Sequence, residues 1–148
     1  MMSTMERILY LKQLPLFGSF AGVELSAVAQ IVEEVEAKKN EIVFEQGDYG
    51  DALYLIVEGR VAVIQSSGGK QKTLAIMGEN ECFGEMAILT DEQRSATIQA
   101  TEPSRFLRVS RDDFRALIFR NPEMAFPLFN ILATRIRRLS ENQTKGGQ

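Results

Sequence analysis

The chain has 148 residues, of which 45% are hydrophobic and 25% are charged, and its formal net charge is −3. This composition is typical of one soluble globular domain, and no apolar run approaches the roughly 20 residues of a membrane-spanning helix. Histidine is absent and Cys82 is the single cysteine, which excludes Ser-His-Asp catalysis, histidine metal sites and an intramolecular disulfide. We therefore expect a cytoplasmic, non-catalytic protein that has no metal, no membrane segment and no direct contact with nucleic acid.

Helices are predicted first, and strands follow. A short helix covers residues 5–11, and apolar residues at helical spacing predict a second helix from Val23 to Val35. From Glu36 to about Ser110 the chain alternates between short apolar runs and turn residues, a pattern that predicts short strands. Seven or eight strands of this kind predict a sandwich or a barrel. The clearest of them are Ile42–Phe44, Leu53–Val57, Val61–Ile64, Thr73–Met77, Ala96–Ala100 and Phe106–Val109.

Glycines mark several of the predicted turns. Gly68 and Gly69 indicate a hairpin. Gly47, Gly50 and Gly59 are interpreted as turn glycines, which serve as markers of the fold.

Two helices are predicted at the C-terminal end, from about residue 110 to 142. Ser110 caps the first helix, and Asn121-Pro122 starts the second. Pro127 should kink the second helix or delay its start. An apolar stripe along this helix is interpreted as intramolecular core, as a dimer seam, or as both. The stripe consists of Leu128, Phe129, Leu132, Ile136 and Leu139.

The segment from residue 83 to 97 carries the chemistry. Gly84 lets the backbone approach a ligand closely. Residues 85–89 can form one helical turn whose first N–H groups suit an anion such as phosphate. Arg94 lies nine residues after Glu85, and a loop that folds back would bring its guanidinium to the same anion. Ser95 adds a hydroxyl, while Glu85 suits a ribose hydroxyl better than a phosphate. Together, an anion site and an acceptor for a ribose hydroxyl indicate a nucleotide-binding site.

Two motifs carry a family resemblance. FGEMAIL at residues 83–89, followed by RSAT at 94–97, resembles the phosphate-binding cassette of the cyclic nucleotide-binding domain family, F-G-E-x-A-L-L and then P-R-x-A-T. Residues 45–61, EQGDYGDALYLIVEGRV, resemble its other signature, G-D-x-x-D-x-L-Y-x-I-x-x-G-x-V. The resemblance extends over about residues 14–142.

The resemblance implies a mainly β fold with flanking helices. We expect an eight-stranded antiparallel β-barrel or jelly roll with N-terminal helices and two C-terminal helices. One domain would span residues 1–148, with its strands at about 36–110 and no output domain. The implied function is non-catalytic binding of a cyclic purine nucleotide, with cAMP favoured over cGMP and no further cofactor. Ligand-linked movement of the C-terminal helices would carry the signal.

The resemblance also assigns roles to single residues. Arg94 would pair with the cyclic phosphate, and Glu85 would accept from the ribose 2′-OH. Ser95 would touch the phosphate or the base. The implied ligand-binding set is Gly84, Glu85, Met86, Ala87, Arg94, Ser95 and Ala96. Further base or sugar contacts are expected from Val63, Leu74, Phe83, Arg138 and Asn142.

One departure and several alternatives remain open. Gln93 stands where the family has proline, which predicts a looser loop before Arg94. The chain could instead be a degenerate interaction module of the same fold, or a sensor of another small anion. The eight arginines between Arg105 and Arg138 are interpreted as solvated helix faces, or else as a contact surface or an ion pair reaching the ligand site. Expected partners are a second copy, through the C-terminal helix, and a downstream protein.

Overall fold

A computed structural model describes residues 1–146, with the side chains at positions 131, 135, 139 and 142–146 outside the description. Eight strands form two four-stranded sheets. The strands are β1 (Glu33–Ala37), β2 (Ile42–Phe44), β3 (Ala52–Glu58), β4 (Val61–Ser67), β5 (Lys70–Met77), β6 (Cys82–Phe83), β7 (Thr97–Ala100) and β8 (Ser104–Ser110). The helices are α1 (Thr4–Lys12), α2 (Gly22–Ile31), α3 (Met86–Leu89), α4 (Arg111–Arg120) and α5 (Ala125–Gly146), with a 3₁₀ turn at Pro122–Met124.

Strand pairing gives the fold its jelly-roll form. One sheet has the order β1-β8-β3-β6 and the other has the order β2-β7-β4-β5. Every pair in these ladders is antiparallel. The prediction of an antiparallel eight-stranded fold with flanking helices is therefore confirmed. Within residues 1–146 no strand ladder joins the two sheets, so they form a sandwich and not a closed barrel.

Two hydrophobic clusters lie on opposite faces of β3. Leu53 and Leu55 pack with the helices, whereas Tyr54 and Ile56 point between the two sheets. Burial of both faces explains why residues 52–57 read as one continuous apolar run. The ring of Tyr54 stacks on Phe83 at a centroid distance of 5.1 Å. No helix in the described part of the chain is long and apolar enough to cross a membrane.

The predicted second helix is too long. It ends at Ile31, and residues 33–35, which were predicted as helical, belong to β1. Val32 is already extended, with ψ of 145°. The guanidinium of Arg7 donates to the carbonyl of Ala29 at 3.1 Å and so helps to end the helix. β1 pairs with β8 over five residues, and this long-range pairing overrides the local helical spacing of the apolar residues.

Of the C-terminal helices, α4 starts where the sequence indicates, whereas Asn121 is followed by a 3₁₀ turn and α5 begins only at Ala125. The Ser110 side chain accepts from the N–H of Asp113 at 3.2 Å and caps α4. Pro127 is the third residue of α5, a position whose N–H has no hydrogen-bond acceptor within the helix, so a proline loses no hydrogen bond there. It therefore belongs to the start of α5 and does not interrupt its interior. The short strand β6 was missed because two residues carry no periodic signal.

Gly59 is the glycine on which the fold depends most. Its φ is +101°, and a Cβ there would lie 2.7 Å from the Cα of Ser104. We expect Gly59→Ala to lower the free energy of unfolding by about 2–4 kcal/mol, because it combines a left-handed φ with a backbone clash. Urea denaturation measures this.

Gly22→Ala is the matched control for this substitution. No atom lies within 4 Å of a Cβ placed at Gly22, so this change should alter stability by less than about 1 kcal/mol. Equal effects at the two positions would contradict the structural role assigned to Gly59.

Candidate functional site

A cavity of about 200 Å³ opens beside the 83–97 segment. Its walls come from α3, from the loop that follows α3, and from strands β2, β4 and β7. All seven residues of the predicted ligand-binding set line it. The structure thus brings together the two halves of the segment, which are separated by the loop at residues 90–93.

Arg94 lies at the centre of this cavity wall. Its guanidinium donates to the carbonyl of Gly84 at 3.1 Å and to that of Ala52 at 2.8 Å. Its Cζ lies 3.9 Å from the ring centroid of Phe44. Burial lowers the pKa of Arg94, but a guanidinium stays protonated in proteins. Among the described residues Arg94 forms no ion pair with a carboxylate, so its positive charge is available to an anion.

Two glycines leave the space that Arg94 occupies. A Cβ at Gly84, where φ is +81°, would lie 2.7 Å from Nη1 of Arg94. A Cβ at Gly50 would lie 2.8 Å from Cζ of Arg94. The φ of Gly50 is outside the left-handed region, so its interpretation as a turn glycine is incomplete. This residue is small because the arginine packs against it.

The backbone before Arg94 is held in place. The N–H of Arg94 donates to the carbonyl of Asp48 at 2.6 Å, and its carbonyl accepts from Gly47 at 2.9 Å. Tyr49 and Gln93 form an isolated antiparallel bridge. The turn at residues 46–51 anchors the end of the loop by main-chain bonds to the N–H and the carbonyl of Arg94. The N–H of Gln93 takes no part in these bonds, so the looser loop expected from Gln93 stays a prediction.

Glu85 lies on the cavity wall and is only 1% exposed. A buried carboxylate of this kind can accept from a ligand hydroxyl. α3 begins immediately after it, and the N–H of Ala87 donates to the Gly84 carbonyl at 3.1 Å. One of the amides expected to face an anion is thus already used within the chain. Met86 is 48% exposed and borders the opening.

A larger groove of about 800 Å³ adjoins the cavity. Val63, Met77 and Ser95 line both spaces. Leu74 and Arg138, two of the predicted base contacts, border the groove and not the cavity.

The remaining predicted contacts divide in a similar way. Phe83 lines the cavity, but it is buried and belongs chiefly to the core between the sheets. The side chain of Asn142 lies outside the described residues.

Several cavity residues were not predicted. Phe44, Gly50, Thr90, Glu92 and Gln93 also line it. Phe44 is the last residue of β2. An aromatic residue at a strand end can form part of the wall of a cavity in a sandwich, and this was the available sequence signal for Phe44. Gly50 lies in the quoted signature, but only the position of Arg94 reveals why it is a glycine. No sequence signal identifies Thr90.

These features define a class of protein. A jelly-roll sandwich with a half-buried arginine and a buried carboxylate on the wall of one small cavity has the form of a small-molecule-binding domain. The chain belongs to the cyclic nucleotide-binding domain family, whose model matches residues 34–121.

Similar proteins support this assignment. The chain is 38% identical over 128 residues to the cyclic AMP receptor protein of Thermus thermophilus, covering 86% of this chain and 59% of the relative. It is 33% identical over 129 residues to a CRP-like cAMP-activated global transcriptional regulator of Mycobacterium tuberculosis, covering 84% and 58%. The crystal structure of Thermus thermophilus catabolite activator protein superimposes with a TM-score of 0.81 at 36% identity, covering 88% and 62%. The chain thus spans about three-fifths of the length of these relatives.

Gly50→Ala should displace the Arg94 guanidinium from Phe44, because the new methyl group would occupy its place. In NMR spectra the Arg94 side-chain Nε–H signal should lose the ring-current shift caused by Phe44. Stability should fall by about 1–3 kcal/mol, as is usual when a packed site is overfilled.

Gly78→Ala is the control for this test, since the nearest atoms to its Cβ lie at 3.9 Å. It should leave the Arg94 signal unchanged. An unshifted Arg94 signal in Gly50→Ala would refute the packing role of Gly50.

Proposed function

We propose that this domain binds a cyclic purine nucleotide reversibly and does not turn it over, with cAMP favoured over cGMP. One observation carries the proposal: the cavity built around Arg94 is lined by every residue of the predicted ligand-binding set. Its cation is held by carbonyl groups and a ring, and it carries no carboxylate partner within the described chain.

The cavity supports a role for the phosphate end of the ligand. A cyclic phosphate carries one negative charge, which the single guanidinium of Arg94 matches. Glu85 would accept from the ribose 2′-OH, and the backbone around Gly84, Met86 and Ala87 would lie against the sugar and the phosphate. Glu85 and Arg94 both line the cavity, so a ligand that carries both an anion and a hydroxyl can contact both side chains.

The groove supports a role for the base. It continues from the cavity across Val63, Met77 and Ser95 and is bordered further out by Leu74 and Arg138. Ser95 is compatible with adenine and with guanine. The preference for cAMP rests on the names of the two relatives, a cyclic AMP receptor protein and a cAMP-activated regulator.

The output of binding would pass through the helices. Ile88 of α3 belongs to the same hydrophobic cluster as Phe114 and Leu117 of α4 and Leu128 of α5. A ligand that draws α3 inward would therefore shift α4 and α5, provided that it binds the shifted state more tightly. We propose a cytoplasmic sensor whose output reaches a downstream protein and not nucleic acid directly. The match to the transcriptional regulator covers 84% of this chain and 58% of that relative.

Titration calorimetry with cAMP and cGMP tests the nucleotide. Each should give saturable heat with no breakdown product by chromatography, and cAMP should bind more tightly. At 100 times its dissociation constant the ligand should stabilise the fold by about 2.7 kcal/mol. Absence of heat and of any thermal shift at millimolar concentrations would favour a degenerate interaction module. Heat with inorganic phosphate or sulfate alone would indicate a sensor of another anion.

Arg94→Ala should weaken nucleotide binding by about 2–3 kcal/mol, the scale of a charge-assisted hydrogen bond. Arg94→Lys keeps the charge but loses the planar fork, so its loss should be smaller. Arg60→Ala, at an exposed arginine away from the cavity, is the control and should bind as the parent does. Equal affinities for all four proteins would place the anion elsewhere.

We also propose a homodimer through α5. Phe126, Phe129 and Ile136 are 67%, 53% and 64% exposed and recur on one helix face. Leu128 of the predicted stripe is instead buried in the core, and the side chain of Leu139 lies outside the described residues. The stripe thus divides between intramolecular packing and a free face.

Ile136→Asp should convert the dimer to a monomer in light scattering, because it places a charge in an apolar seam. Thr134→Asp adds the same charge off the seam and should leave the dimer intact. If light scattering still finds the parent protein monomeric at about 100 times the concentration used for the variants, the dimer proposal is wrong.

A further inference from the structure

Three residues fasten α4 to the loop that carries Arg94. Nη1 of Arg111 lies 2.8 Å from Oδ1 of Asp91, and Nη2 of Arg115 lies 3.9 Å from the same oxygen. Asp91 stands three residues before Arg94 in the loop. We call Asp91, Arg111 and Arg115 the arginine clamp. This ion pair reaches the loop before Arg94, and none of its three residues lines the cavity.

The clamp is supported by two further contacts from the same helix. Nε of Arg115 donates to the carbonyl of Ile88 in α3 at 2.8 Å. The backbone N–H of Arg111 donates to the carbonyl of Asp51 at 2.7 Å. Asp51 follows Gly50, against which Arg94 packs. The first half of α4 therefore holds α3, the loop and the turn that together fix the Arg94 backbone.

We propose that Asp91 is a positioning residue of the ligand site, which acts by tying the Arg94 loop to α4 through Arg111 and Arg115. This inference rests on the proposed nucleotide function. Asp91 does not line the cavity, so it has no direct role in holding the ligand. Its carboxylate instead fixes where the loop presents Arg94, and it gives α4 a polar connection to the site besides the apolar contact through Ile88.

The solvent exposure of the charged side chains explains why this ion pair affects the position of the loop more than the free energy of unfolding of the domain. The Asp91 side chain is 81% exposed, while those of Arg111 and Arg115 are 26% and 37% exposed. An exposed ion pair contributes little to the unfolding equilibrium. It can nevertheless restrict a short loop that is otherwise tied by main-chain bonds at its two ends and by the Thr90 hydroxyl, which donates to the Met86 carbonyl and accepts from the N–H of Glu92. The clamp should therefore be visible in ligand affinity and in local amide exchange before it is visible in melting temperature.

The test compares Asp91→Asn, Asp91→Glu and Arg111→Gln with the parent by cAMP calorimetry. Asp91→Asn should raise the dissociation constant about three- to tenfold at low salt, the range of coupling changes made away from a ligand. Asp91→Glu should retain most of the affinity. The double variant Asp91→Asn with Arg111→Gln should be little worse than either single change, because both remove the same interaction.

Glu58→Gln is the matched control. It breaks another exposed pair, with Arg105 at 3.6 Å, far from the cavity lining, and it should leave cAMP affinity and loop exchange unchanged. Unchanged affinity in Asp91→Asn, or an equal loss in Glu58→Gln, would overturn the positioning role.

Hydrogen exchange of the ligand-free proteins separates this inference from the proposed function. Amides at residues 90–95 should exchange faster in Asp91→Asn than in the parent and in Glu58→Gln. If the parent bound no cyclic nucleotide but the loop still loosened in Asp91→Asn, the nucleotide function would fail and the clamp would stand. If the parent bound cAMP but exchange and affinity in Asp91→Asn matched the parent, the clamp would fail alone.

Discussion

A guanidinium placed against the interior of a β-sandwich constrains everything near it. A buried charge is unfavourable unless polar groups or an aromatic face surround it, and Arg94 has both, in the carbonyls of Gly84 and Ala52 and the ring of Phe44. The partners come from β2, from β3 and from the residue after β6. Two sheets must therefore be assembled before the site exists. The Arg94 guanidinium therefore reaches its place in the cavity wall only when the domain has folded.

The same constraint explains why two distant sequence signatures occur together. The turn at residues 46–51 pairs with the backbone of Gln93 and Arg94, and it supplies the glycine against which the guanidinium packs. The 83–97 segment supplies the charge, the carboxylate and the second glycine. Neither stretch builds the site alone. Read as isolated motifs they indicate a turn and an anion loop, whereas in the structure they are two sides of one small cavity.

The parts of the fold that the sequence predicts are those set by local chemistry. The turn glycines Gly47 and Gly59, the Ser110 cap and the strand runs at Ile42–Phe44 and in β3 were read correctly. Residues 33–35 were misread because β1 is specified by its pairing with β8 and not by its own periodicity. The cavity wall around Arg94 was largely predictable because most of its residues lie within one short segment. Val63, Leu74 and Arg138, which line the groove, were expected only from the family resemblance, because they converge from β4, β5 and α5 and no single segment brings them together.

α3 has a special place in this arrangement because it faces both parts of the molecule. Ala87 lines the cavity, and the next residue, Ile88, packs among the helices with Phe114 and Leu128. A helix of four residues is too short to be stable alone, so its position is set by what touches it on either side. On one side that is Arg94 and any bound anion, and on the other it is α4, through apolar packing and the arginine clamp. A segment with little stability of its own, held between the cavity and the packed helices α4 and α5, can change position without disturbing the sandwich. In the proposed function, this single turn of helix would carry the signal while the sandwich stays rigid.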